Sequence, residues 1–235
     1  MSITQSIILA GGLGTRLRSV VSDLPKCMAP VNGRPFLAYV VDYLKKEGIS
    51  KFIFSLGYKH EVIVEFVTKE YGKSGIDFSI EEEPLGTGGA IKLACKESSG
   101  KDVLIVNGDT LFKAKLNQLN SSHDTNNADC TLSLKPMQNF DRYGVVELNK
   151  DNSIKDFKEK RYYGNGFING GIYALNVANF LKEDVPDKFS FEKDYLEKFV
   201  NQRRFFAVIQ NEYFIDIGIP EDYERAKREL TNVRM

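Results

Sequence analysis

A glycine-rich segment close to the start of the chain offers the first residue types that could do chemistry. It reads LAGGLGTRL over residues 9–17, follows a short apolar run, and carries one cation, Arg16. Glycines after a strand let backbone N–H groups approach an anion closely, and ligands of open α/β sheets bind at strand ends. The segment is neither a P-loop, which needs Gly-Lys-Ser/Thr, nor a dinucleotide fingerprint, because Leu17 stands in place of the third glycine. Its residues alone predict either an anion-binding loop or a plain turn with a surface arginine.

The segments around this loop must hold it in place, and in the first half of the chain they alternate between strand-like and helical patterns. Phe36, Val40 and Tyr43 recur at helical spacing, whereas the continuous apolar run over residues 103–106 is typical of a buried strand. Such alternation predicts βαβ crossovers, and therefore a mostly parallel sheet covered on both faces. The predicted strands cover residues 6–10, 51–56, 77–81 and 103–106, and the predicted helices cover residues 36–46, 61–71 and 88–96.

The regular alternation of strand-like and helical patterns ends in the second half of the chain. Residues 117–127 are rich in Asn and Ser, which predicts an exposed loop or a frayed helix end. Ser190 is a candidate N-cap for a helix over residues 190–200, and Pro220 introduces a final helix over residues 221–230. We see no repeat and no linker, so we expect a single domain. The remaining predicted strands cover residues 130–135, 144–149, 154–158, 170–175, 205–209 and 213–217.

The composition limits the partners and the location of the protein. The 235 residues carry 32 Lys+Arg against 32 Asp+Glu, so the formal net charge is zero. A protein needs a net positive surface to bind nucleic acids or anionic membranes well, so neither is expected as the main partner. The apolar runs are far shorter than the roughly 20 residues that span a bilayer, and no signal-peptide core is recognisable. Cys27, Cys95 and Cys130 are widely separated, which predicts reduced thiols and a cytoplasmic location.

Two successive segments carry a resemblance to a known family. LAGGLGTRL over residues 9–17 and DLPKCMAPV over residues 23–31 together resemble the signature of the sugar-1-phosphate nucleotidyltransferases, and the likeness extends from Ile8 to Tyr223. Members of this family join a sugar 1-phosphate to a nucleoside triphosphate and release pyrophosphate. The resemblance implies an α/β fold of Rossmann-like type, with a mostly parallel mixed sheet, helices on both faces, and one domain over residues 1–235.

The resemblance assigns the nucleotide to the first half of the chain, about residues 1–115. The glycine loop would wrap the triphosphate while Arg16 and Lys26 neutralise it, which suits an α-phosphate under in-line attack. EEPLGTGGA over residues 82–90 resembles the family's second nucleotide loop, where backbone near Gly88 meets the base; the alternative is a plain strand-to-helix turn. The implied nucleotide-binding residues are Leu9, Ala10, Gly11, Gly12, Gly14, Thr15, Glu82 and Gly88.

Two aspartates resemble the metal ligands of the family. Asp109 ends the tripeptide NGD after a fully apolar strand, although an aspartate in that position alone is often a cap or a turn former. Asp216, in FIDIGIP, resembles the second metal carboxylate. Two carboxylates from separate strand ends can hold one Mg²⁺ against an α-phosphate. The resemblance thus implies a Mg²⁺ cofactor on Asp109 and Asp216, and a catalytic set of Arg16, Lys26 and Asp109.

The sugar 1-phosphate is assigned to the second half, about residues 116–235. By resemblance, Gly144 offers backbone, Glu159 and Asn169 reach sugar hydroxyls, and Lys160 pairs with the phosphate, since a polyol needs acceptors and amides while its phosphate needs a cation. The alternative for Glu159 and Lys160 is a solvated face, because KDFKEKR over residues 155–161 mixes both charges. The implied sugar-phosphate residues are Tyr143, Gly144, Glu159, Lys160, Asn169 and Gly171.

Four further motifs narrow the resemblance to a subgroup that activates a heptose 1-phosphate with GTP for surface glycan assembly. They are GTRLRSVV over residues 14–21, EPLGTGGA over 83–90, DRYG over 141–144 and FSFE over 189–192. The expected partners are GTP and a sugar 1-phosphate. Mannose or glucose 1-phosphate, and UTP, dTTP or CTP, stay open as alternatives. So does a non-catalytic nucleotide-sugar sensor, although the retained cations and carboxylates disfavour it.

Some features carry no assigned chemistry. His60 and His123 lack metal-ligand spacing, which predicts surface or capping residues. Residues 162–167 are expected to form either a mobile flap or a subunit contact, and a homo-oligomer is left open.

Overall fold

The structure, a computed structural model, describes residues 3–12, 17 and 24–230. Its strands are β1 (Gln5–Leu9), β2 (Pro30–Val31), β3 (Arg34–Pro35), β4 (Lys51–Leu56), β5 (Ile76–Ile80), β6 (Asp102–Asn107), β7 (Thr110–Phe112), β8 (Cys130–Phe140), β9 (Val145–Leu148), β10 (Ile154–Lys158), β11 (Tyr163–Asn176), β12 (Phe205–Ile209) and β13 (Phe214–Asp216). Its α-helices are α1 (Phe36–Lys46), α2 (His60–Tyr71), α3 (Gly86–Ala94), α4 (Leu116–Thr125), α5 (Val177–Leu181) and α6 (Pro220–Glu229). Single 3₁₀ turns lie at Lys26–Met28 and Cys95–Glu97, and a π-helical segment covers Phe191–Glu197.

Within the described residues, seven strands form the central sheet in the order β12-β8-β11-β6-β1-β4-β5. The pairs β6–β1, β1–β4, β4–β5 and β12–β8 are parallel, whereas β11 runs antiparallel to both β6 and β8. The predicted mostly parallel mixed sheet is therefore confirmed. Because β1, β4, β5 and β6 are parallel neighbours, their carboxyl ends lie along one edge of the sheet.

Alternating side chains of the central strands supply two separate cores. In β1, Ile8 packs with Phe54 in the core covered by α1 and α2, whereas Ile7 packs with Ile53 in the core covered by α3 and the π-helical segment. All three of these isoleucines are fully buried. A strand buried on both faces reads as a continuous apolar run, as residues 103–106 do. The prediction of helices on both faces is confirmed.

Several predicted bounds agree with the structure. The helix at Phe36–Lys46 and the strand at Lys51–Leu56 have the predicted limits. The hydroxyl of Ser190 accepts a hydrogen bond from the backbone N–H of Lys193 at 3.2 Å, which confirms the N-cap. Pro220 is the first residue of α6, where its missing N–H costs no helical hydrogen bond.

The polar stretch over residues 117–127 is largely helical, so the first of the two alternatives, an exposed loop, is wrong, and the second, a frayed helix end, understates the helix. In α4 the side chains of Leu116, Leu119 and His123 are buried, while the Asn and Ser residues cover the other face. Three buried positions at helical spacing are enough to anchor this face on the sheet. His123 is therefore not a surface residue: it is 2% exposed, and its Nδ1 lies 2.9 Å from the hydroxyl of Thr131.

Most of the segment 162–167 is a paired strand, and its role as a flap or a subunit contact stays a prediction. From Tyr163 to Phe167 it belongs to β11 and pairs with β8 between Pro136 and Phe140, while Tyr162 stays 67% exposed. Glycines lower the strand signal of this stretch, but the ladder with β8 supplies hydrogen bonds that local propensity does not predict. None of the helices in the described part of the chain has the length and apolar character that a bilayer crossing requires.

Candidate active site

A first cavity of about 780 Å³ opens at the carboxyl edge of the parallel strands. Leu9 and Asn107, the last residues of β1 and β6, line it, as do residues that directly follow β4 and β5. This is the sheet edge where open α/β folds bind ligands. The lining residues used below are Leu9, Gly11, Gly12, Gly57, His60, Glu81, Glu82, Glu83, Gly86, Thr87, Asn107, Asp109 and Glu192.

Most of the predicted nucleotide residues within the described part of the chain face this cavity. Leu9, Gly11, Gly12 and Glu82 all line it. Ala10 is buried instead, and its N–H donates to the carbonyl of Ser55 at 2.9 Å. Gly14, Thr15 and Arg16 lie outside the described residues, so their roles stay predictions.

Gly88 lies inside α3 and packs against Phe189 rather than lining the first cavity. Its N–H donates to the carbonyl of Phe189 at 2.9 Å, and a Cβ at this position would overlap the Phe189 ring. The neighbouring Gly86 and Thr87 line the cavity in its place. The structure thus gives Gly88 a packing role, and the predicted contact between its backbone and a base has no support from the geometry.

Glu81 is held in place in the first cavity by a backbone hydrogen bond and by two close glycines. Its Oε2 accepts from the N–H of Leu85 at 2.9 Å, and a Cβ on Gly11 would come within 2.6 Å of its Oε1. Burial raises the pKa of the Glu81 carboxyl above its ordinary value, and the hydrogen bond from Leu85 acts in the opposite direction. The sequence motif singled out Glu82, which also lines the cavity. The signal for Glu81 was its position directly after β5.

Lys26, Asp109 and Asp216 converge from three separate elements. The ammonium of Lys26 lies 2.6 Å from Oδ2 of Asp109 and 3.4 Å from Oδ1 of Asp216. Asp216 ends β13, which pairs with β7 so that Asp216 lies opposite Thr110, the neighbour of Asp109. A short antiparallel ribbon therefore brings together two aspartates that are far apart in sequence, as the resemblance implied.

The three side chains suit a divalent cation bound together with phosphate. Asp109 and Asp216 direct one carboxylate oxygen each towards a single positive centre, the Lys26 ammonium, so their charges already converge on a cation. No cluster of three or more His, Cys, Asp or Glu side chains suited to a metal occurs among the described residues. Mg²⁺ is commonly held by one or two carboxylates, with substrate phosphates and water completing its shell. The two aspartates fit that arrangement.

A second cavity of about 370 Å³ lies beside the first, over the end of the β9–β10 ribbon and the middle of β11. All six predicted sugar-phosphate residues line it, with Lys158, Lys193, Glu197 and Asp216 around them. Burial, and next the charge of Glu159, raise the pKa of the Glu197 carboxyl. The residues that line this cavity and enter the argument are Asn107, Tyr143, Gly144, Glu159, Lys160, Asn169, Gly171, Tyr173, Glu192 and Asp216.

A bulge in β11 shapes one wall of the second cavity. The pairing with β8 shifts register between Asn169 and Tyr173, where Gly171 takes a left-handed φ of 73°. The Asn169 amide holds the bulge: its oxygen accepts from the N–H of Gly171 at 3.0 Å, and its nitrogen donates to the Tyr173 hydroxyl at 2.8 Å. Bulges often redirect backbone beside functional sites. One amide N–H of Asn169 and one further lone pair of its oxygen are left for a ligand.

Two residues line both cavities and were given no role from the sequence. Asn107 ends β6 two residues before Asp109, and Glu192 is the second residue of the π-helical segment. The carboxylate of Glu192 accepts from the Thr87 hydroxyl at 2.7 Å, which ties the first turn of α3, beside the first cavity, to the wall of the second. Glu192 was visible as part of the FSFE motif, and π-helical turns are frequent at functional sites. The cavities are therefore neighbouring halves of one site.

Comparison with known proteins agrees with this geometry. A family model described as Nucleotidyl transferase matches residues 5–233. A protein of Aneurinibacillus thermoaerophilus named D-glycero-alpha-D-manno-heptose 1-phosphate guanylyltransferase is 52% identical over 226 residues, covering 96% of this chain and 98% of that protein. A Campylobacter jejuni protein of the same name is 45% identical over 219 residues, covering 93% of this chain and 96% of that protein.

The fold has a close counterpart among solved structures. The crystal structure of HddC from Yersinia pseudotuberculosis complexed with GMP-PN matches with a TM-score of 0.87 and 40% identity, covering 97% of this chain and 100% of that one. The sequence resemblance and the fold class are both confirmed by these matches. The chain belongs to the nucleotidyl transferase family.

Proposed function

We propose that this protein transfers GMP from GTP to D-glycero-α-D-manno-heptose 1-phosphate, giving GDP-heptose and pyrophosphate for surface glycan synthesis. The observation that carries the proposal is the meeting of Lys26, Asp109 and Asp216 where two cavities adjoin. The names of the relatives supply the nucleotide and the sugar, since two relatives that cover nearly the whole chain are heptose 1-phosphate guanylyltransferases.

The first cavity suits guanine because hydrogen-bond acceptors line it. Guanine presents N1–H and an N2 amine as donors, and the carboxylates of Glu81, Glu82 and Glu83 line the cavity. A base that left such groups without partners would lose on the order of 1–3 kcal/mol per missing hydrogen bond. The preference for GTP should therefore be large without being absolute.

The second cavity suits a phosphorylated polyol. Lys160 offers the cation for the phosphate, and Glu159, Asn169 and the Gly144 backbone offer partners for hydroxyls. Heptose exceeds mannose by one hydroxymethine group, and a cavity with room for that group rejects the smaller sugar only weakly. Mannose 1-phosphate is accordingly the expected secondary acceptor.

The proposed reaction is a direct displacement. A phosphate oxygen of the sugar 1-phosphate forms a bond to the α-phosphorus of GTP, the bond from that phosphorus to the bridging oxygen breaks, and pyrophosphate leaves. A sugar phosphate is already ionised at neutral pH, so no general base is needed. Mg²⁺, which Asp109 and Asp216 would hold, supplies positive charge to the phosphate oxygens.

The chain's own residues orient the two substrates and offset charge. Lys26 is 13% exposed and lies against both aspartates, where its ammonium can also offset charge on an α-phosphate. Arg16 is proposed to act beside it, and Lys160 to align the attacking phosphate. We place the protein in the cytoplasm because its three buried cysteines are all unpaired thiols.

The proposal is tested by pyrophosphate release from a panel of nucleotides and sugar phosphates. GTP, ATP, CTP, UTP and dTTP are each combined with heptose, mannose and glucose 1-phosphate under one buffer condition. The expected result is the highest kcat/KM with GTP and heptose 1-phosphate. Equal efficiency with UTP or dTTP would contradict the guanylyltransferase proposal, and no release with any pair would support the sensor alternative.

A further inference from the structure

Arg142 and Asp222 form an ion pair behind the second cavity. The pair lies next to Asp216, on the side of Asp216 that faces away from Lys26. Asp222 lies in the first turn of α6, and its Oδ2 pairs with Nη1 of Arg142. Its other oxygen, Oδ1, lies 3.2 Å from Nη2 of Arg225. Both oxygens of Asp222 are thus held, and its side chain is 16% exposed.

The pair reaches Asp216 through the hydroxyl of Tyr143. Nη2 of Arg142 donates to the Tyr143 oxygen at 3.1 Å, and the Tyr143 hydroxyl donates to Oδ2 of Asp216 at 3.2 Å. Because the guanidinium has only donors, the phenol oxygen must accept from it, and the phenol proton is left to point at Asp216. The direction of the hydrogen-bond chain from Arg142 to Asp216 is fixed by these atom types.

The two carboxylate oxygens of Asp216 therefore make different contacts. Oδ1 accepts from the N–H of Gly218 at 2.8 Å and faces Lys26 at 3.4 Å, on the side of Asp109. Oδ2 faces Tyr143, with Nη2 of Arg142 at 3.7 Å. The Tyr143 ring is itself held edge-on against Phe214, with the ring centroids 6.2 Å apart. The carboxylate plane of Asp216 is thus fixed from both sides.

We propose that Arg142 and Asp222 are positioning residues that orient the Asp216 carboxylate and thereby set how tightly the Asp109–Asp216 pair binds its divalent cation. This inference rests on the proposed function, because it takes Asp216 as a metal ligand. Partners that hold a ligating carboxylate affect metal affinity without touching the metal. The planar fork of Arg142 is needed because one side chain must donate to both Asp222 and Tyr143.

The first test is Asp222→Asn, with Glu224→Gln as the matched control. Glu224 lies on the same helix and pairs with Lys227 at 2.7 Å, away from both cavities. For Asp222→Asn the Mg²⁺ concentration at half-maximal rate should rise about tenfold, while kcat at saturating Mg²⁺ stays within about twofold of wild type. Binding of Mn²⁺ without nucleotide, followed by electron paramagnetic resonance, should weaken by the same factor. Unchanged Mg²⁺ dependence and unchanged Mn²⁺ affinity would overturn the inference.

Two further variants separate orientation from simple charge or folding effects. Arg142→Lys keeps the charge but cannot donate to both partners in the same geometry, so its metal affinity should fall as in Asp222→Asn; wild-type affinity would contradict the positioning role. Combining Asp222→Asn with Tyr143→Phe should lower the metal affinity by less than the product of the two single-variant factors, since both variants break the same hydrogen-bond chain. A double variant whose loss of metal affinity equals that product would also contradict the positioning role. Thermal unfolding midpoints equal to that of Glu224→Gln show that the fold is intact.

One additional variant distinguishes failure of this inference from failure of the proposed function. If Asp216→Asn binds Mn²⁺ as tightly as the wild type does, the assignment of Asp216 as a metal ligand is wrong. If Asp216→Asn loses Mn²⁺ while Asp222→Asn keeps it, the metal site stands and the positioning role is wrong.

Discussion

Three charged side chains meet where the two cavities adjoin. One ammonium, Lys26, lies against two carboxylates, Asp109 and Asp216, in a partly buried place. Carboxylates that converge in this way can share one divalent cation. At the scale of single residues, the two aspartates are therefore arranged to receive a cation along with the phosphates.

Loss of either aspartate should abolish turnover without unfolding the protein. Asp109→Ala and Asp216→Ala each remove a carboxylate that Mg²⁺ would need, so kcat should fall by a factor on the order of 10² or more. Steady-state kinetics at several Mg²⁺ concentrations measures this, with Asp77→Ala, an exposed residue of β5, as the control. A near-normal rate for Asp216→Ala at low millimolar Mg²⁺ would remove Asp216 from the site.

The contact between α3 and the segment before the π-helical turn decides what Gly88 does. The N–H of Gly88 is bonded to Phe189, and the ring of Phe189 fills the space where a side chain would be. At the scale of elements, this contact couples α3, which borders the first cavity, to the π-helical segment, which borders the second, and the hydrogen bond from Thr87 to Glu192 joins the same two elements.

Gly88→Ala should therefore act on stability before it acts on nucleotide binding. Overpacking against Phe189 should lower the free energy of unfolding by about 1–3 kcal/mol. Gly164→Ala is the control, since nothing lies within 4 Å of a Cβ there. Urea unfolding gives the free energies. Unchanged stability together with a raised KM for GTP would favour the base contact that the sequence predicts for Gly88.

A buried polar network joins α4 to the sheet and should make stability depend on pH. Burial alone would raise the pKa of the Asp102 carboxyl, but the hydrogen bond and charge of His123 lead the effects that lower the pKa below its ordinary value of 3.8. A lowered pKa contributes stability that is present above the unfolded-state pKa and is lost as pH falls through the folded-state value. The contribution of Asp102 should thus be present in full well above a pH of about 4 and be lost progressively as the pH falls below it.

Urea unfolding of wild type and Asp102→Asn at several pH values checks this linkage. Asp102→Asn should cost about 1–2 kcal/mol at pH 7, and the cost should shrink as the pH falls below about 4. Asp184→Asn, an exposed carboxylate, is the control and should show no such trend. A cost for Asp102→Asn that stays constant into the acid range would show that its ionised form is not what stabilises the fold.

The sequence predicts elements well where apolar periodicity is strong and less well where polar residues or glycines hide it. The helix at Phe36–Lys46 and the strand at Lys51–Leu56 follow directly from their patterns. In α4 only Leu116, Leu119 and His123 are buried, too few to outweigh the Asn and Ser content. In β11, glycines weaken the signal of a strand that is held by pairing with distant β8. Such long-range partners are not visible in local sequence.

For the site, the resemblance placed the charged residues and missed those that depend on three-dimensional neighbours. All six predicted sugar-phosphate residues line one cavity, and Lys26 meets both aspartates. Glu81 belongs to the segment that the sequence predicts to offer acceptors to the base, but its own place depends on Gly11 and Gly57, which approach it from other strand ends. Arg142 and Asp222 escaped attention, since they meet only in the fold.

At the scale of the whole molecule, the sheet order brings two halves of the sequence to one site. The parallel strands β1, β4, β5 and β6 supply the first cavity, and the reversed strand β11, inserted between β6 and β8, carries the wall of the second. Asn107 lies at the junction of the two. The predicted division near residue 115 into nucleotide and sugar-phosphate halves stays a prediction.

The central claim, guanylyl transfer to a heptose 1-phosphate, is tested most directly by competition in one vessel. Equal concentrations of D-glycero-α-D-manno-heptose 1-phosphate and mannose 1-phosphate are supplied with GTP, and the ratio of the two GDP-sugars at low conversion gives the ratio of their kcat/KM values. The account predicts that GDP-heptose dominates and that GDP-mannose forms slowly. The second cavity has room for the extra carbon of heptose, and such a cavity discriminates only weakly against a sugar that lacks this carbon. An excess of GDP-mannose, or no GDP-sugar at all, would contradict it.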